Sequence, residues 1–92
     1  MKIETLIAQK AVLAIKELYG QDVDAASVQV QKTKREFEGH LTIVVFPYLK
    51  MSRKGPEQTA VEIGTWFREH VEEVSSFNVI KGFLNLVISD SV

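Results

Sequence analysis

The tightest constraint on the fold lies near the end of the sequence, where two strand-like runs, residues 77–80 and 83–89, are separated only by Lys81 and Gly82. Two residues leave no room for a crossover, so the runs must pair antiparallel as a hairpin, with the glycine supplying the positive φ of a tight turn. Residues 40–46 (HLTIVVF) are rich in β-branched side chains and nearly continuous in apolarity. That is the pattern of a central strand buried on both faces. Pro47 cannot continue a central ladder, so the chain must turn away through Tyr48, Leu49 and Met51 into a basic loop at residues 52–55. Upstream, Val28 and Val30 alternate with Gln29 and Gln31, which reads as a short, half-exposed strand.

Two helices complete the pattern. Ile3, Ile7, Ala11, Ala14 and Leu18 recur at intervals of three and four, and Gly20 follows where a left-handed cap would end the helix. The second begins at Pro56, with Glu57 and Gln58 complementing the helix N-terminus, and its stripe is Ala60, Ile63, Gly64, Phe67, Val71 and Val74. Gly64 on that stripe predicts close approach of another element. The order helix, strand, strand, helix, strand, strand, with short links, specifies an α+β fold: an antiparallel β-sheet of about four strands with flanking helices. No internal repeat is visible. Ninety-two residues make a single domain, 1–92, that hides about 60–65% of its unfolded surface, which implies a thin core and no deep catalytic cleft.

The residue inventory offers little chemistry. There is no cysteine, and His40, His70 and the scattered carboxylates are not brought together by spacing, so no catalytic residue is expected. His70 and Glu73 are too few to hold a metal, and none is expected. The five glycines fit neither a dinucleotide fingerprint nor a phosphate loop. Lys50-Met51-Ser52-Arg53-Lys54 resembles the KMSKS loop of class I aminoacyl-tRNA synthetases, but that loop works against a nucleotide-binding α/β domain that 92 residues do not contain; it reads as a basic loop before a helix. Charged residues throughout the first twenty positions exclude a signal peptide, and a cytoplasmic location is expected. Net charge is −1, yet residues 32–54 carry six bases against two acids and residues 57–73 five acids against one base. This is either solvated surface charge or an anion-binding face.

Along the last strand, alternation sends Leu84, Leu86 and Ile88 to one face and Phe83, Asn85 and Val87 to the other. An aromatic ring and a carboxamide about 7 Å apart suit an unpaired nucleobase, stacked by one and read by the other. The alternative is that Phe83 packs under a helix and Asn85 bonds to turn backbone.

Gly82-Phe83-Leu84-Asn85-Leu86, the opening helix, Gly39 before the central strand and the helix start at residues 56–63 resemble the N-terminal domain of arginyl-tRNA synthetases across essentially the whole chain. The resemblance implies an appended domain that grips the D-loop at the elbow of arginine tRNA. Arginine activation with ATP and magnesium, the catalytic and anticodon-binding domains, and every cofactor would belong to the remainder of the protein. Phe83 and Asn85 would be the D-loop base contacts, with Asn78 and Lys81 as neighbours on the hairpin. The bases Lys32, Lys34, Arg35, Arg53 and Lys54 would meet the phosphate backbone. Arginine tRNA and the remaining domains of the same chain are the implied partners, without DNA or membrane. The segment around residues 39–50 departs from the family pattern at His40, Val44, Val45 and Pro47. A reading of a different class is a protein-interaction or oligomerisation module using Phe83 and Val87.

Overall fold

The computed structural model describes residues 3–33 and 39–88. Helix α1, Ile3–Tyr19, buries Ile7, Ala11, Ala14 and Ile15. Leu18, expected on the same stripe, is exposed, because Ile15, one turn beyond Ala11, fills the core beside Ala14. The backbone N–H of Gly20 closes the helix on the Lys16 carbonyl at 2.9 Å.

The first strand starts later than the valine–glutamine alternation predicts. A 3-10 turn, Ala25–Ser27, capped by the Asp24 carboxylate, occupies the approach, and Val28 is its buried C-cap. Strand β1 is Val30–Lys32 and β2 is Leu41–Val44. Past β2 the chain coils into a 3-10 turn, Phe46–Tyr48, around Pro47, and then a short helix α2, Leu49–Ser52, where a loop was expected. Helix α3, Pro56–His70, ends earlier than its apolar stripe, since Val71 is extended and Val74 opens strand β3, Val74–Ile80. Strand β4, Phe83–Ile88, completes the hairpin.

The strands lie in the order β1-β2-β4-β3, every neighbouring pair antiparallel. This is the α+β arrangement that the sequence predicts. Exchanging β1 with β3 and β2 with β4 leaves the order unchanged, so the fold is one helix–hairpin unit built twice, joined along β2 and β4. No repeat in the residues announces this.

Leu41, Ile43, Leu84 and Leu86 point toward α1 and α3, where they form the core with Ile7, Ile15, Ile63 and Phe67. Gly64 lets α3 settle onto the sheet: a Cβ there would stand 2.5 Å from the Phe77 ring and 2.8 Å from Leu84. Two hydrogen bonds tie the helices to each other, Trp66 Nε1 donating to Glu17 at 2.7 Å and the Tyr19 hydroxyl to Glu62 at 2.9 Å. Burial, with Glu62 adding to it, pushes the Tyr19 phenol well above the ordinary tyrosine range. Tyr48 is 2% exposed, and its hydroxyl has no hydrogen-bond partner among the described residues.

Gly64→Ala is expected to destabilise the fold by about 1–3 kcal/mol, the usual cost of overpacking, read as a lower urea midpoint. Tyr48→Phe removes a buried hydroxyl that forms no bond, and should leave the midpoint unchanged or raise it by up to about 1 kcal/mol. A loss of more than that would show that the hydroxyl is bonded in solution.

Candidate nucleic-acid interface

The hairpin turn holds Lys81 at φ 51° and Gly82 at φ 81°. Two successive positive values are those of a type I′ turn, whose twist matches the flanking strands. Gly82 is required twice over, for its φ and because a Cβ would lie 2.8 Å from Pro56 and 3.3 Å from the Phe46 ring. The turn is thus pressed against the start of α3 and against Phe46.

Phe83, paired with Val44 and Ile80, projects from the sheet face opposite the long helices, so it does not pack beneath one. Its ring meets that of Phe46 edge-on, with centroids 5.6 Å apart and planes at 87°. Phe46 is 44% exposed. Sequence reasoning passed over Phe46, because it ends an apolar run that looked wholly internal.

Asn85 faces the same way as Phe83 but is 1% exposed. Its carboxamide bonds to side chains, not to turn backbone: Oδ1 accepts from the Thr42 hydroxyl at 2.6 Å and Nδ2 donates to Asn78 Oδ1 at 3.0 Å. The Thr33 and Thr42 hydroxyls are 2.8 Å apart. Thr42 has one proton and gives it to Asn85, so Thr33 must donate to Thr42. A directed row of hydrogen bonds therefore crosses the sheet from the end of β1 to β3. Gly39 lies over it, its Cβ position 3.2 Å from Asn85 Cβ. The second face of β2, expected to be buried, is buried at Thr42, in polar company, and only half-buried at Val44. A lone threonine within HLTIVVF, on the alternation opposite Leu41 and Ile43, was the available signal for this row.

The candidate cations separate in space. Lys81 adjoins the contact between Gly82 and Pro56, and Arg53, at φ 59°, is the left-handed C-cap of α2, three residues before Pro56. Lys54 is ion-paired with Glu62, the residue that also accepts from Tyr19. Lys32 pairs with Leu41 at the far corner of the sheet, roughly 14 Å from Phe83 by strand spacing and rise. Lys34 and Arg35 lie outside the described residues. Both histidines make contacts within the fold: His40 Nδ1 accepts from the Ile88 backbone N–H at 2.9 Å, and His70 stacks on Trp66 with ring centroids 4.7 Å apart. Among the described residues no group of three His, Cys, Asp or Glu is placed to hold a metal, and no helix is long and apolar enough to cross a membrane.

No protein-family model matches the chain. Individual proteins do. It is 60% identical over 91 residues to the arginine–tRNA ligase of Bacteroides fragilis and 62% identical over 90 residues to that of Phocaeicola vulgatus. The ligase of Amoebophilus asiaticus is 35% identical over 92 residues. These matches take in 97–100% of the chain but only 15% of each relative's length. Among solved structures, Thermus thermophilus arginyl-tRNA synthetase shares the fold with a TM-score of 0.77 at 22% identity, covering 96% of this chain and 14% of that one. By sequence, with the fold in agreement, nearly the whole chain is similar to one domain-sized stretch of these arginine–tRNA ligases, about 15% of their length.

Proposed function

We propose that the chain is the N-terminal, tRNA-binding domain of a larger cytoplasmic arginine–tRNA ligase, and that it recognises the D-loop at the elbow of arginine tRNA. The observation that carries this reading is the outward face of the hairpin, where an accessible aromatic pair and the basic turn residue Lys81 adjoin a fixed carboxamide row. Phe83 offers a stacking surface that any base can use, worth about 1–3 kcal/mol per base. Asn85 acts from beneath the surface, since Thr42 and Asn78 occupy it on either side, and it sets the direction in which the Asn78 carboxamide faces the RNA. Arg53 and Lys81 meet phosphates beside the base. Lys32, Lys34 and Arg35 add attraction from farther away, and Lys54 contributes only after leaving Glu62.

Activation of arginine is assigned to the remainder of the ligase. The described residues provide no acidic cluster for magnesium, and the chain has no glycine-rich loop for the phosphates of ATP. The role of this domain is to bind and position a macromolecular substrate for chemistry performed elsewhere in the same protein.

Two measurements test the reading. Phe83→Ala should weaken binding of arginine tRNA by about 5- to 100-fold, and the same loss should follow from altering the D-loop with Phe83 intact. Equal affinity for intact and altered D-loops would remove base recognition by the hairpin, and self-association without RNA binding would favour the interaction-module reading. In a salt titration, Arg53→Gln and Lys81→Gln should each reduce the slope of log affinity against log salt by about 1, while Lys54→Gln, whose charge Glu62 already satisfies, should change it less.

A further inference from the structure

Phe46 poses a problem that the hairpin alone does not solve. Its neighbours Val45 and Tyr48 are buried, yet this ring stays in solvent, the only aromatic among the exposed large apolar residues of the described chain. Leaving a phenylalanine 44% exposed forgoes part of the stabilisation that its burial would bring. The ring is nevertheless well supported. It begins the 3-10 turn, Pro47 follows and restricts its backbone, the Phe83 ring stands perpendicular to it with centroids 5.6 Å apart, and the contact near Gly82 leaves no space for a side chain there. A supported, exposed ring loses little freedom when something stacks on it.

A second, independent observation lies beside it. The described residues include two non-glycine positions with positive φ, Arg53 at 59° and Lys81 at 51°. Both are cationic. They sit on different loops, yet Gly82, next to Lys81, contacts both Pro56, three residues after Arg53, and the Phe46 ring. Glycine or asparagine would adopt these angles at lower cost, so conformational strain is retained where positive charge is also present.

We infer that Phe46 is a second base-stacking residue, outside the hairpin, and that the Arg53 loop and the Lys81 turn form with it one composite clamp for an unpaired nucleobase and its flanking phosphates. This rests on the RNA-binding reading above and extends it to two segments, Phe46 and the loop before α3. The chemistry favours that occupant: a ring face takes a base of any sequence, and cations on the two adjoining segments match the anionic backbone that enters and leaves it. An acidic peptide would satisfy the cations and leave the ring face unused.

The test uses this chain and an arginine tRNA transcript carrying 2-aminopurine at an unpaired D-loop position, with quenching of its fluorescence reporting stacking. Phe46→Ala should lower affinity 5- to 50-fold and reduce the quench, Phe46→Leu should fail to restore either, and Phe46→Trp should restore both to within about twofold. Lys81→Gly should raise the urea midpoint by relieving strain while lowering affinity several-fold, a split that a purely structural role does not produce. Wild-type affinity and quench in Phe46→Leu, with Phe83→Ala impaired, overturn the clamp and spare the hairpin reading. If Phe83→Ala also binds normally, the RNA-binding reading itself fails. Self-association abolished by Phe46→Ala with tRNA affinity unchanged overturns the clamp in favour of a homotypic contact.

Discussion

The pairing of β2 with β4 joins two helix–hairpin units that have no other strand in common, and the layers on both sides depend on it. On the helix side it aligns Leu41 with Leu86 and Ile43 with Leu84 under α1 and α3. On the other it aligns Thr42 with Asn85 and Val44 with Phe83. A slip of one residue would turn leucines outward and an asparagine into the core. The Thr42–Asn85 hydrogen bond, almost fully buried, opposes that slip, because a shifted register would leave two desolvated polar groups without partners.

Much of this arrangement was legible in the residues. The two-residue spacing around Lys81-Gly82 dictated a hairpin, Gly64 announced a close approach, and Pro56 marked the start of a helix. Errors arose where a local period carried on past its physical end. Val71 and Val74 keep the spacing of the α3 stripe, but the chain becomes extended at Val71, and Val74 meets the same core from a strand. Leu18 keeps the spacing of α1 and is exposed because Ile15 has already taken the core position. The twofold architecture was invisible, since it resides in strand order and not in side chains.

The candidate site was legible to a similar degree and for a similar reason. Alternation along one strand sufficed to separate Phe83 and Asn85 from the core leucines. What the neighbours would do to those two residues depended on cross-strand register, which a single strand does not encode, so the engagement of Asn85 by Thr42 and Asn78 emerged only from the sheet. Charge behaved likewise: summation along residues 32–54 joins Lys32 to Arg53 and Lys54. Folding carries Lys32 to a distant corner, neutralises Lys54 against Glu62 and instead brings Pro56, at the end of the basic loop, against Gly82 beside Lys81, which lies outside that stretch.

The doubled helix–hairpin architecture has a kinetic corollary. Within each unit the strands are close in sequence and can meet on the timescale of local hairpin formation, whereas the seam between β2 and β4 closes a loop of some forty residues and carries most of the entropic barrier. The seam is therefore the slow contact to form, and the polar row across the sheet is completed only when it closes. A surface that depends on this row cannot exist in a half-folded chain, whose aromatic rings would be present without the ordered carboxamides beside them.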